Sequence, residues 1–97
     1  DYSVKSKQLD MRIQVVKNER ITAYQNYRSA EKQLEAARSY QRLIEKGFKE
    51  GSNTFIETLD ARAQLTAAQL KTIINQYHIL IADARYERES ASFPLEN

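Results

Sequence analysis

Glu57 and Asp60 stand three residues apart in the stretch Thr54-Phe55-Ile56-Glu57-Thr58-Leu59-Asp60-Ala61. On a helix that spacing puts both carboxylates on one face. The pair could in principle trade protons, attract a cation or cap the helix. Acid–base catalysis needs a buried, water-poor setting that shifts a carboxylate's pKa, and an exposed helix does not supply one. His78 is the only histidine and there is no cysteine, so no Cys/His metal set can be assembled. A surface or inter-helix position is its expected role. The six tyrosines, at positions 2, 24, 27, 40, 77 and 86, suit half-buried interfaces, where a ring packs and its hydroxyl stays wet. No Gly-rich phosphate loop and no Ser/His/Asp arrangement is present. The expectation is a protein that is not an enzyme and needs no cofactor or metal.

The elements that carry these residues follow from the punctuation. Two glycines and one proline in 97 residues leave little material for turns, so long helices are favoured over many short strands. Gly47 and Gly51 sit together near the middle and Pro94 near the end, which divides the chain into two uninterrupted arms. Residues 1–50 carry eleven Lys/Arg against seven Asp/Glu, and residues 51–97 four against six, so the arms can attract one another. Acidic residues interrupt the basic ones throughout, which argues against nucleic acid as a partner. The longest apolar stretch, Ile79 to Ala82, is far short of the roughly 20 residues of a membrane span, and no direct membrane insertion by this segment is expected. The start shows no signal-peptide pattern, lacks Met and runs almost at once into helical periodicity, as a segment of a longer protein would.

In the first arm, alternating steps of four and three pass through Leu9, Ile13, Val16, Arg20, Ala23, Tyr27, Ala30, Leu34, Ala37, Gln41, Ile44 and Phe48, nearly all apolar. In the second they pass through Ile56, Leu59, Ala63, Thr66, Leu70, Ile73, Tyr77, Leu80 and Ala84. Each is the narrow stripe of a helix that packs against one partner. The fold class predicted is all-α, a long antiparallel two-helix coiled-coil hairpin. Arm 1 covers about 3–50, the tip 51–53, arm 2 about 54–91 and a short irregular tail 92–97, with Pro94 ending the second helix. Folding back at the tip sets Phe48 near Ile56, Leu34 near Leu70, Tyr27 near Tyr77, Ala30 near Ile73 and Ala23 near Leu80. Such arms are about 55 to 70 Å long.

At the turn, Gly51 can take the left-handed conformation that ends a helix, and Ser52, Asn53 or Thr54 can cap the next one. Thr54 and Glu57 have the spacing of a capping box, and Lys46 and Lys49 complement the preceding helix's C-terminal end. One seam buries little surface against a backbone ordering cost of about 1–2 kcal/mol per residue. Ala67, Ile74 and Ile81 recur every seven residues beside the second stripe. Lateral packing of the second arm against further helices, and self-association of the isolated hairpin, are therefore expected.

The run Phe48-Lys49-Glu50-Gly51-Ser52-Asn53-Thr54-Phe55-Ile56-Glu57-Thr58-Leu59-Asp60-Ala61, continued by Arg62-Ala63-Gln64-Leu65-Thr66-Ala67-Ala68-Gln69 and later by Tyr77-x-x-Leu80-x-Ala82, resembles the tip and descending helix of TolC-like outer-membrane efflux proteins. The resemblance covers about residues 40–90. It implies the periplasmic portion of an outer-membrane protein in a Gram-negative envelope. There, three protomers of two hairpins each would form a tunnel for efflux or type I secretion. The partners implied are a periplasmic adaptor protein and, through it, an inner-membrane pump. The resemblance places Phe48, Gly51, Ser52, Asn53 and Thr54 at the partner-binding tip and Glu57 and Asp60 at the periplasmic gate. Some family members carry a tyrosine and a basic residue where Phe48 and Asn53 stand, and an Ala-x-Gly element where this chain reads Ser90-Ala91-Ser92-Phe93-Pro94. Alternatives are the helical hairpin of a periplasmic adaptor, whose Arg-x3-Leu-x6-Ser tip pattern is missing here, and a generic coiled-coil interaction arm.

Overall fold

The computed structural model describes residues 2–92; of the tail expected over 92–97, Ser92 closes the second helix, and 93–97, Pro94 among them, lie outside the described residues. Helix α1 spans Tyr2–Lys49 and helix α2 Phe55–Ser92. They lie antiparallel in a rod of 74 × 15 × 15 Å. No strand occurs among the described residues. With only one other element to pack against, each helix can bury a single stripe.

The stripe of α1 is the expected one. Val16, Ala23, Ala30 and Ile44 are buried, and Leu9, Ile13, Tyr27, Leu34, Ala37 and Gln41 are partly covered. Phe48 departs from it and is exposed. The axial register is also the expected one to within about a residue: Ala30 lies level with Thr72, Gln33 with Lys71, Tyr27 with Gln76 and Arg20 with Asp83.

The stripe of α2 is not. Ile56, Leu59, Ala63, Thr66, Leu70, Ile73, Tyr77, Leu80 and Ala84 are all exposed. The residues facing α1 are Thr58, Ala61, Leu65, Ala68, Thr72, Asn75, Ile79, Ala82 and Tyr86, each two positions further along. At about 100° per residue, two positions turn the helix by roughly 200°, so the larger apolar stripe points away from α1. All five expected pairings, Phe48 with Ile56, Leu34 with Leu70, Tyr27 with Tyr77, Ala30 with Ile73 and Ala23 with Leu80, are corrected accordingly.

The reason is size and polarity together. The alanines of α1 meet alanines and threonines of α2, so the backbones approach closely. The Thr72 hydroxyl donates to the Ala68 carbonyl at 3.0 Å and lies 3.4 Å from the Ala30 carbonyl across the seam. Ala61 is 0 % exposed and Ala30 1 %. Buried polar groups cost stability when unpaired, and here each is paired within its own helix one turn back: Thr58 to the Thr54 carbonyl, Thr72 to Ala68 and Asn75 to Lys71. No buried side-chain N or O among the described residues lacks a partner.

Polar links along the rim hold this rotation of α2. Arg20 pairs with Asp83 at 2.8 Å, Arg85 with Glu19 at 2.8 Å and Arg62 with Glu45 at 2.9 Å. Arg20 also lies over the Tyr86 ring at 5.0 Å, and the Tyr24 hydroxyl donates to Asp83. Exposed ion pairs contribute little individually, about 0–1 kcal/mol each. Spread along the rod on both rims, they favour one rotation of α2 over others.

Candidate docking tip and interaction surface

The tip is built by two helix caps in direct succession. Gly51 has φ 83°, the left-handed region that glycine enters without strain. The Gly51 N–H donates to the Phe48 carbonyl at 3.1 Å and the Ser52 N–H to the Gly47 carbonyl at 2.7 Å, so the last carbonyls of α1 are satisfied by the turn itself. Thr54 is the residue that caps α2. Its hydroxyl accepts from the Glu57 N–H at 3.2 Å, while the Glu57 carboxylate accepts from the Thr54 N–H at 3.0 Å. This is the capping box that the sequence suggested.

Asn53 ties the two caps together. Its amide donates to Glu57 at 3.0 Å, and its side-chain oxygen occupies the space where a Cβ on Gly47 would stand. Gly47 lies inside α1, where glycine costs about 1 kcal/mol relative to alanine; the close approach of Asn53 explains its presence. Three bonds onto one carboxylate hold Glu57 below the usual carboxylate pKa, the Thr54 N–H first, then the Asn53 amide and the Thr54 hydroxyl.

The expected tip residues are therefore brought together at the rod's end. Gly51 and Ser52 are exposed and Asn53 is half-buried. Phe48 packs on Phe55 with ring centroids 6.1 Å apart and planes tilted by 51°, yet both residues are exposed, as is Ile56. The turn thus carries an apolar shoulder. Sequence reasoning placed Phe48 in the seam and gave Phe55 no role; the aromatic residue on each side of the turn was the available signal.

Glu57 and Asp60 have separate hydrogen-bond partners. The Glu57 carboxylate is held in the cap by Asn53 and Thr54, Asp60 accepts a bond from Gln64 at 2.8 Å, and both residues are exposed. His78 is exposed on the flank of α2, and the described residues contain no group of acidic, histidine or cysteine side chains able to hold a metal ion. No described helix is long and apolar enough to cross a membrane.

A second surface is the outward face of α2. From Ala63 to Ala84 it runs through Leu70, Ile73, Ile74, Tyr77, Leu80 and Ile81 without a charged residue, over about 30 Å. The opposite outer face, on α1, carries Arg28, Lys32, Glu35, Arg42 and Lys46, all exposed. The rod is apolar on one side and charged on the other. No protein-family model matches the chain, and no curated protein or solved structure matches it.

Proposed function

We propose that this chain is the tunnel-and-tip hairpin of a trimeric outer-membrane efflux or type I secretion duct in the periplasm. Its tip docks a periplasmic adaptor, and its second helix lines the mouth. It is a passive conduit and docking element, and energy comes from the inner-membrane pump beyond the adaptor. The observation that carries this reading is the tip. A rigid, doubly capped turn with no side chain at Gly51 lets a partner's helices approach the backbone, and the Phe48/Phe55/Ile56 shoulder adds apolar surface to hold them.

Two further features support it. The resemblance in sequence centres on this same turn and the Leu59-Asp60-Ala61 that follows. A wall hairpin also needs a flank for its neighbours, and the outward face of α2 is one. With Glu57 occupied by capping, Asp60 is the carboxylate available to a threefold ring at the mouth, where it would favour cations.

The test is cross-linking from the tip. A photoreactive residue at Ser52 should cross-link to a purified periplasmic adaptor of a tripartite pump, and Gly51→Trp should abolish the product. Ser52→Trp, at an exposed position of ordinary backbone, should block binding in the unlabelled chain without changing its helicity. Adaptor binding that survives both tryptophans, or cross-links that arise only from the charged face of α1, would remove the tip from the reading.

A further inference from the structure

On the rim that carries the Arg20–Asp83 pair, Lys17, Ile21, Tyr24 and Arg28 follow one another at steps of four, three and four along one flank of α1. That spacing keeps them on a single helix face. With Arg20 and Tyr86 they line a groove open to solvent, about 40 Å from the turn at Gly51. Ile21 is 48 % exposed and Tyr24 38 %.

Arg20 is taken up by its own chain. Its guanidinium pairs with Asp83 at 2.8 Å and lies 5.0 Å from the centre of the Tyr86 ring and 6.0 Å from that of Tyr24. Tyr24 is pinned in turn, because its hydroxyl donates to Asp83 at 3.2 Å. The middle of the groove is therefore apolar and already held in place. Lys17 and Arg28, at its two ends, are exposed and have no ion-pair partner among the described residues. They stand about 16 Å apart along the axis. A surface with a fixed apolar middle and a free cation at each end selects a segment of the opposite pattern.

We infer that this flank docks a helix of a partner protein that carries two carboxylates eleven residues apart, with apolar side chains four and seven residues after the first. Steps of four, three and four read the same in both directions, so the partner helix fits in either sense. Its apolar residues pack on Ile21 and Tyr24, and its carboxylates meet Lys17 and Arg28 at the edge of the contact. A polyanion such as nucleic acid fits worse. Asp10 lies beyond Lys17, and Glu31 and Glu35 lie beyond Arg28, all exposed, so negative charge running past either end is repelled. A second copy of this chain does not fit, because no two of its acidic residues are eleven apart. The groove avoids both the tip and the outward face of α2. The inference therefore does not rest on the duct reading, and it leaves those surfaces to the neighbours that reading requires.

The probe is a fluorescein-labelled helical peptide with two glutamates and two leucines at this spacing among alanines and glutamines. Its binding to the full chain, followed by fluorescence anisotropy, should weaken by about 30-fold in Tyr24→Ala, the loss of an aromatic anchor. Lys17→Glu and Arg28→Glu should each weaken it by about tenfold. Arg42→Glu, further along α1, should leave it unchanged, and circular dichroism should show the same helicity in all four variants. A peptide whose second glutamate is moved three positions inward should bind about tenfold more weakly. Absence of binding, equal binding of the two peptides, or full affinity in Lys17→Glu overturns the proposal. So does displacement of the peptide by heparin at concentrations where unlabelled peptide does not compete, which would assign the flank to polyanions. None of these variants should alter cross-linking from Ser52, so failure here leaves the tip standing, and failure at the tip leaves this groove standing.

Discussion

Ala61→Leu and Leu80→Ala should have effects opposite to those that side-chain size alone suggests. Leucine-to-alanine changes in a core cost about 2–5 kcal/mol, and a hydrophobic reading of α2 would put Leu80 in that class. Leu80 is 66 % exposed and faces away from α1. Its truncation should therefore cost no more than about 0.5 kcal/mol, as at other surface positions. Ala61 is 0 % exposed, in a seam close enough that the Thr72 hydroxyl nears the Ala30 carbonyl. Adding an isopropyl group there must push the helices apart or strain the new side chain, at a cost of about 1–3 kcal/mol.

For a chain of this size each kcal/mol moves the melting midpoint by about 4–8 °C. Urea and thermal unfolding followed by circular dichroism separate the two variants, provided the chain is diluted until the midpoint no longer depends on concentration. The dilution matters because Leu80 lies on the exposed apolar face of α2, and any self-association through that face at high concentration would add to the effect of its truncation. If Leu80→Ala lowers the midpoint of the dilute chain more than Ala61→Leu does, α2 is rotated as its hydrophobic stripe suggests, and both the seam and the interaction surface described above are wrong.

Two other outcomes follow from the tip. Gly51→Ala should cost about 1–2 kcal/mol, the penalty for a side chain in the left-handed region. Gly51→Asn should cost less. Nothing stands within 4 Å of an added Cβ at Gly51, so strain and not collision is responsible, and an unchanged midpoint for the alanine variant would refute that. Glu57 titrates below the usual carboxylate range in the folded chain, against about 4.3 unfolded. Its contribution is complete above the unfolded value and is lost as pH falls through the lower folded one. Glu57→Gln should flatten the fall in stability below about pH 4, and an acid limb identical in both chains would contradict the assignment.

Much of the architecture was legible because it depends on local patterns. Gly51 with Thr54 and Glu57 specifies two caps in succession, and backbone groups at helix ends must find partners wherever the helices go. The heptad spacing and the position of the turn give two helices and their register, since an antiparallel hairpin with a short turn has almost no freedom to slide. The stripe of α1 could be read because that helix has only one apolar face.

Helix α2 has two faces at heptad spacing, displaced by two residues, and periodicity does not rank them. Choosing by hydrophobicity favours Leu70, Ile73 and Leu80. Tertiary packing chose Ala61, Ala68, Thr72 and Asn75, because small residues let two backbones approach and the threonines and the asparagine could be paired within their own helix. The chain's residues thus determined that there would be a capped hairpin with a bare glycine at its tip. Which side of the second helix turns inward, and so which side is left for a partner, was decided only when the helices met, because that outcome depends on the fit between two surfaces and not on the pattern of either one.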